Sequence, residues 1–75
     1  MKRYKKLSGD TGIEAYETGP NYIRIRFEDG GVYLYTDEST GPENVTRMKA
    51  LAEQGKGLCT YINTRVRGAY AEKEV

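Results

Sequence analysis

The chain has 75 residues with a formal net charge of +1, one cysteine and no histidine. A chain of this length forms a single domain that buries only about 60% of its unfolded surface, so its core must be small. A net charge near zero gives no overall signal for a nucleic acid or a membrane surface. Without histidine the chain lacks the usual general base, and one cysteine cannot supply the usual structural zinc ligands. We therefore expect no catalysis, no metal and no cofactor.

The two ends of the chain are predicted to lie outside the folded domain. Lysine and arginine dominate the start, which predicts a basic, mobile arm over residues 1–10. The domain is expected over residues 11–71, followed by a flexible tail over residues 72–75. No apolar run as long as that of a signal peptide or a membrane helix follows the arm. Because Cys59 is the only cysteine, a reducing compartment is favoured, and we predict a cytoplasmic protein without membrane contact.

Three strands are predicted in the first half of the chain. Residues 13–18 read IEAYET, and strand alternation would separate Ile13 and Tyr16 onto opposite faces. Residues 22–27 alternate between polar and apolar side chains. Residues 32–36 return as the third strand. The pattern predicts a three-stranded antiparallel meander.

The turn between the second and third strands decides which way two tyrosines face. Asp29-Gly30 is typical of a two-residue hairpin turn, which would pair Ile25 with Leu34. The apolar side chains would then form one face, and the other face would carry Tyr22, Arg24, Arg26, Tyr33 and Tyr35. A three-residue loop over Asp29-Gly30-Gly31 would shift the register by one and turn both tyrosines toward the apolar face, beside Ile25 and Phe27.

Two helices are predicted in the second half, after a loop over residues 37–41. Pro42 suits the first turn of a helix, and apolar residues recur at helical spacing as far as Gly55, which can end the helix in a left-handed conformation. The second helix starts near Leu58, and its apolar stripe continues in steps of three or four residues to Val66. Both helices should pack on one face of the sheet. We therefore predict an α+β fold of two layers in the order β-β-β-α-α.

The sheet face that the helices leave uncovered is a candidate binding surface. Arginine beside tyrosine on an open sheet can contact phosphates while bases stack on the rings, as single-strand binding surfaces do. The same side chains also fit two purely structural roles. The tyrosines can fill a core that is poor in aliphatic side chains, with their hydroxyls bonded at its rim. Arginine and tyrosine can also stack across strands only to stabilise the sheet.

Two motifs resemble those of a known family. They are Phe27-x-x-Gly30-x-Val32-Tyr33-x-Tyr35 and, after Gly57, Tyr61-Ile62-Asn63-x-x-Val66-Arg67-x-x-Tyr70. Together they resemble the KTSC domain, a short bacterial domain that is named for the C-terminus of some lysyl-tRNA synthetases and also occurs as a stand-alone protein. The resemblance covers residues 11–70. It implies contact with RNA, which has been suggested for that family, and its matching positions are Tyr33, Tyr35, Asn63, Arg67 and Tyr70.

The chain departs from the family pattern at two places. The residue between the two tyrosines is usually polar in the family, which would suit inward tyrosines, but here it is Leu34. The family also tends to have a Val-Pro step where this chain has the acidic loop of residues 36–41. Contacts made by that loop therefore cannot be transferred.

The second predicted helix carries a row of polar and aromatic residues. Asn63, Arg67 and Tyr70 step by four and three residues, which places them along one side of a helix. Arg67 could meet a phosphate, Asn63 a polar base edge, and Tyr70 could stack on a base. The alternative is structural: Asn63 ties the start of the helix to the sheet, and Arg67 pairs with an acidic loop such as Asp37-Glu38.

Two hypotheses of function follow. The first is a small non-catalytic domain that contacts single-stranded or structured RNA through Arg24, Arg26, Tyr33, Tyr35, Asn63, Arg67 and Tyr70. The second is a protein-interaction or homodimerisation module that uses the uncovered sheet face or an edge strand.

Overall fold

The computed structural model describes residues 1–5 and 12–74. One antiparallel sheet has its five strands in chain order: β1 (Lys2–Arg3), β2 (Ile13–Gly19), β3 (Tyr22–Phe27), β4 (Val32–Thr36) and β5 (Glu72–Lys73). The helices are α1 (Asp37–Thr40), α2 (Pro42–Gln54) and α3 (Leu58–Tyr61), which continues as a π-helical turn (Ile62–Val66). We refer to α3 and the π-helical turn together as the C-terminal helix. The predicted α+β class is confirmed.

The sheet is wider than the predicted three-stranded meander. The predicted strands form its centre, β2 to β4, and a two-residue strand is added at each edge. Tyr4, next to β1, is only 2% exposed. Residues 2–5 and 72–74 therefore belong to the folded domain and not to an arm or a tail. Residues 6–10 of the predicted arm and residue 75 of the predicted tail lie outside the described residues.

One core joins the sheet to the helices. Both α2 and the C-terminal helix pack on the same face of the sheet, here called the inner face, so the predicted two-layer arrangement is present. The opposite, outer face packs against neither of these helices. The buried core consists of Tyr4, Ile13, Tyr16, Ile23, Ile25 and Tyr35 on the sheet side and Val45, Met48, Ala52, Leu58, Ile62 and Val66 on the helix side.

A three-residue loop, and not the predicted two-residue turn, joins β3 to β4. The Phe27 N–H donates to the Gly31 carbonyl at 2.8 Å, and the Gly30 N–H donates to the Phe27 carbonyl at 2.9 Å. The loop therefore comprises Glu28, Asp29 and Gly30. Gly30 has φ 96°. Three-residue hairpin loops usually have a glycine with positive φ at this position.

The longer loop makes the predicted register wrong by one position. Ile25 pairs with Tyr33 and not with Leu34, and Ile23 pairs with Tyr35. Because strand side chains alternate, the shift turns both tyrosines to the inner face and Leu34 to the outer face. Tyr35 is 2% exposed and belongs to the core, whereas Tyr33 packs against the core and remains partly exposed. The structural role in which the tyrosines fill the core is thus confirmed for Tyr35.

A bulge in β2 changes the predicted facing of that strand. The register shifts between Ile13 and Ala15, so that Glu14 is an extra residue. A bulge of this kind puts two residues opposite one on the partner strand. Ile13 and Tyr16 consequently lie on the same face, and both are in the core. The prediction that Ile13 and Tyr16 lie on opposite faces of the strand is therefore wrong.

Residues 37–40, predicted as part of a loop, form the short helix α1. The Ser39 N–H donates to the Thr36 hydroxyl at 3.0 Å, and the Thr36 N–H donates to Ser39 Oγ at 3.2 Å. These reciprocal contacts satisfy two backbone donors at the start of the helix. The Thr40 hydroxyl then donates to the Ala69 carbonyl at 2.7 Å, which ties α1 to the segment that leads into β5.

The C-terminal helix is shorter than the predicted row requires. Asn63 lies in the π-helical turn, and Arg67 follows its last residue, Val66. Tyr70 lies beyond the helix, on the segment that approaches β5. The prediction that Asn63, Arg67 and Tyr70 follow one side of a continuous helix is therefore wrong.

Gly30→Ala should lower the free energy of unfolding by about 1 kcal/mol, because a side chain is strained at a positive φ. No atom lies within 4 Å of the position that a Cβ would take at Gly30, so a clash contributes nothing. Gly68→Ala is the matched control, since its Cβ would also meet nothing and its φ is not positive. Urea unfolding followed by circular dichroism measures both. Equal losses in the two variants would contradict the loop conformation.

Candidate functional site

The structure divides the seven predicted site residues between two places. The outer face carries Arg24 and Arg26, while a cleft on the helix side is lined by Tyr33, Tyr35, Asn63 and Arg67, with Tyr70 beside the two tyrosines. The predicted platform of arginines and tyrosines on one open face is therefore not formed. The five positions that carry the family resemblance nevertheless lie together.

The two outer-face arginines are already paired with carboxylates. Arg24 Nε lies 3.0 Å from a Glu74 carboxylate oxygen, and its Nη1 lies 3.1 Å from Glu17. The hydrogen bond that Arg24 donates to Glu74, together with the nearby negative charges, raises the pKa of Arg24. Arg26 Nε lies 3.5 Å from Glu14. A phosphate would have to compete with these carboxylates, so the outer face offers little attraction to a polyanion.

A stacked pair on the outer face stabilises the sheet itself. The Arg24 guanidinium lies 5.6 Å from the centre of the Tyr22 ring. The Tyr22 hydroxyl donates to Glu17 at 3.0 Å, and this bond raises the pKa of Tyr22. Because Glu17 accepts from both side chains, the three form one network across β2 and β3. The arginine–tyrosine stack on this face lies along β3 and not across strands as predicted, and Glu17 connects it to β2.

The cleft lies between the end of the β3–β4 hairpin and the C-terminal helix, and its volume is about 400 Å³. The rings of Phe27 and Tyr33 form an aromatic wall, with centroids 5.3 Å apart and planes at 87°. The other polar lining residues are Glu28 and Asp29 from the loop and Asn63 and Arg67 from the helix side. The cleft therefore combines ring surface, an amide and charges of both signs.

The Tyr35 side chain forms the floor of the cleft. Burial, followed by the nearby Tyr33 and Tyr70, raises the pKa of Tyr35 to about 12. The Tyr35 hydroxyl donates to no described residue. If its oxygen were fully buried it would be an unsatisfied polar atom, and the described part of the chain has none. The Tyr35 oxygen therefore still reaches the solvent of the cleft. At neutral pH it is a protonated hydroxyl that can donate or accept a hydrogen bond.

Tyr33 is held in an aromatic cluster at the edge of the cleft. Its ring centroid lies 4.9 Å from that of Tyr70, which in turn lies 6.4 Å from that of Tyr35. The Lys73 ammonium lies 5.6 Å from the centre of the Tyr33 ring. Edge-to-face contacts of this kind fix ring orientation and contribute about 0.5–1.5 kcal/mol each. The ring surface at the cleft is thus rigid.

The structural roles predicted for the helix residues are not found. The exposed Asn63 amide donates to Cys59 Sγ at 3.7 Å, on its own helix, and bonds to no described strand. Arg67 is exposed and forms no ion pair with any described residue, so the predicted pairing with Asp37 or Glu38 is absent. Both polar groups at the cleft are consequently available to a ligand.

Two residues near the cleft were not predicted as contacts. Phe27 belongs to the family motif, but its alternation assigned it only to the apolar face. Lys73 was placed in a flexible tail, because a two-residue edge strand has no periodicity to detect. For Phe27, its place in the family motif was a signal in the sequence for a position at the cleft. For Lys73, the sequence contained no such signal.

Two other kinds of site are absent from the described residues. Among residues 1–5 and 12–74, no three or more histidine, cysteine or acidic side chains come together in an arrangement that could hold a metal ion. Within the same ranges, no helix has the length and apolar character needed to cross a membrane.

The chain matches no family model, and no curated protein or solved structure is similar enough to count as a match. The resemblance to the KTSC domain accordingly stays a prediction that rests on the two motifs.

Raising the pH from about 10 to about 12 should lower the free energy of unfolding through Tyr35. A free tyrosine has a pKa of about 10, whereas that of Tyr35 is about 12 in the folded chain. The unfolded state therefore ionises first, and the stability that is fully present below pH ~10 is lost by pH ~12, at most about 2–3 kcal/mol.

Urea unfolding at a series of alkaline pH values measures this loss. Tyr35→Phe should show a shallower decline than the wild type. Tyr61→Phe, which removes a phenol outside the cluster of Tyr33, Tyr35 and Tyr70, is the control for the remaining tyrosines. Equal declines for Tyr35→Phe and the wild type would mean that Tyr35 is not the buried phenol.

Proposed function

We propose that the protein is a small, non-catalytic RNA-binding domain that takes one unpaired nucleotide into the cleft. The observation that carries this proposal is that Arg67, without a carboxylate partner among the described residues, shares the cleft with Asn63 and the ring of Tyr33. An unpaired guanidinium, an amide and an aromatic surface are the groups that single-strand RNA sites combine.

Each group fits one part of a nucleotide. A base can stack on the exposed part of Tyr33, and stacking tolerates any base because every base has a π-face. The Asn63 amide can donate and accept at the edge of the base, and the Tyr35 hydroxyl can add one further bond from the floor. Arg67 can meet the phosphate in a bidentate contact. The volume of about 400 Å³ suits one nucleotide and not a duplex.

The charges around the cleft limit the proposed affinity. Glu28 and Asp29 line the cleft on the loop side and oppose the approach of a second phosphate. Arg67 and Lys73 are the two cations near the rings in the described part of the chain. Binding should therefore be weak and should involve one or two phosphates.

Two further observations support the proposal. The residues of the KTSC resemblance, for which RNA contact is the suggested activity, gather at this cleft although they are up to 37 positions apart in the sequence. Asn63 lies in a π-helical turn, and such turns are frequently found at functional sites.

The second hypothesis is a protein-interaction or homodimerisation module that uses the outer face. The observation in its favour is that neither α2 nor the C-terminal helix packs against this face. Arg24 and Arg26 of this face are already paired with carboxylates, however. The large apolar side chains exposed in the described residues are Tyr70, which packs against Tyr33 of the inner face, and Met1, next to the edge strand β1. A cytoplasmic location is compatible with either function and stays a prediction.

A mixed-sequence RNA oligonucleotide should shift the amide signals of Tyr33, Asn63 and Arg67 in an NMR titration. Arg67→Gln should weaken binding about five- to tenfold, because it removes one charge-assisted phosphate contact. Raising salt from about 50 to about 200 mM should weaken the wild type about three- to sevenfold, as expected for one or two neutralised phosphates.

Arg26→Gln is the matched control, since it removes the same charge from the outer face. It should leave RNA affinity unchanged. If Arg26→Gln weakened RNA binding as much as Arg67→Gln, the binding site would have to be on the outer face and not in the cleft. An unmoved spectrum at millimolar RNA would overturn RNA binding, and concentration-dependent shifts on the outer face without RNA would favour the homodimer.

A further inference from the structure

We propose that a second groove, between α2 and the C-terminal helix, is a binding site for a phosphate group. Its volume is about 390 Å³, and no acidic residue of the described ranges lines it. The polar lining comes from two arginines and three hydroxyl-bearing residues: Arg47 from α2 and Thr60, Tyr61, Thr64 and Arg65 from the C-terminal helix.

The groove and the nucleotide cleft lie on different flanks of the same helix. Asn63 and Arg67 line only the cleft, whereas Thr60, Thr64 and Arg65 line only the groove. Residues four apart share a helix flank, which explains why each flank has its own polar set. The phosphate proposal therefore does not depend on the proposed function of the cleft.

Both arginines of the groove lack a carboxylate partner among the described residues. Arg47 is exposed and forms no ion pair there, including with Glu43 one turn earlier on α2. Arg65 is also without an ion pair within the described ranges. Two guanidiniums that line one groove give it a local positive potential, which attracts an anion.

Arg65 is exposed, but its guanidinium packs on a ring that is itself held in place. Its guanidinium lies 5.9 Å from the centre of the Tyr61 ring. The Tyr61 hydroxyl donates to Asn44 Oδ1 at 2.6 Å, and Asn44 donates to the Thr40 carbonyl at 2.8 Å. This chain of contacts holds the ring against α1 and α2, and the ring in turn holds the guanidinium. Pre-organisation of this kind reduces the entropy lost when a ligand binds.

One hydroxyl group can add a further donor for a tetrahedral oxyanion. The Thr64 and Tyr61 hydroxyls already donate to the Thr60 carbonyl and to Asn44, whereas the Thr60 hydroxyl donates to no described residue. The Thr60 hydroxyl and the two guanidiniums can together donate to several oxygens of one phosphate. Arginine forks match phosphate geometry and are weakly hydrated, which favours a phosphate ligand. Its source is a free phosphorylated small molecule or the backbone of an RNA.

Titration with inorganic phosphate and with pyrophosphate, followed by amide and arginine side-chain NMR, tests the groove. Saturable shifts are expected at Thr60, Thr64 and both arginines, beyond those seen with sodium chloride at equal ionic strength. Arg47→Gln and Arg65→Gln should each weaken binding about three- to tenfold. Arg3→Gln, an equal loss of charge on β1, should leave it unchanged.

The outcomes separate the two sources of phosphate. Saturation by pyrophosphate, with no response of the groove to a mixed-sequence RNA, supports a free phosphorylated ligand. Groove shifts caused by RNA and reversed by pyrophosphate support the RNA backbone. Shifts that never saturate, or an effect of Arg3→Gln equal to that of Arg47→Gln, would overturn the proposal. Since Asn63 and Arg67 report separately on the cleft, failure at one site is distinguishable from failure at the other.

Discussion

The hydrogen bond between the Phe27 N–H and the Gly31 carbonyl sets the register on which the rest of the structure depends. It closes a loop of three residues, and strand side chains alternate with a period of two. A loop one residue shorter would turn every side chain of β4 to the opposite face. Tyr35 would then leave the core and Leu34 would enter it. The floor of the cleft exists because of this one loop length.

The two strands of the hairpin differ in how strongly their own residues fix their facing. β3 alternates isoleucine with arginine, and two arginines cannot enter the core of a small domain without partners, so only one facing is possible. β4 offers tyrosines on one face and Val32 and Leu34 on the other, and either set is apolar enough to be buried. The length of the loop therefore determines which face of β4 is buried, because the residues of β4 alone do not. Tyr35 also supplies ring volume to a chain that has one phenylalanine and no tryptophan.

The elements that could be predicted from the sequence are those with sustained periodicity. The three central strands, α2 and the buried stripe of the C-terminal helix follow from spacing alone, because burial of one face requires it. The edge strands could not be found, since two residues contain no period and their pairing depends on distant chain segments. The bulge at Glu14 is invisible for a similar reason: it becomes detectable only when β2 is aligned with β3.

Most residues of the candidate site could be predicted from the sequence, but not their positions relative to one another. The motif residues do lie near one another, but the arginines of β3 lie on the opposite face of the sheet. Arg24 donates a hydrogen bond to Glu74, which lies 50 positions away in the sequence, so its guanidinium is less available to a ligand. No local sequence pattern indicates this contact. Short-range signals predict which face a residue occupies. They do not predict which distant carboxylate reaches it.

The distribution of ion pairs makes the proposed binding of anions compatible with a net charge of +1. At physiological salt, charges more than about 8 Å apart are largely screened, so local pairing outweighs the total. Arg24 and Arg26 are compensated on the outer face, whereas Arg47, Arg65 and Arg67 have no carboxylate partner in the described part of the chain. These three cations line the cleft or the groove of the helical layer. Arg3 on β1 also lacks a carboxylate partner in the described part of the chain, but it lines neither. Anion binding should therefore concentrate on the helical layer, although the sheet carries as clear an arginine pattern in its sequence.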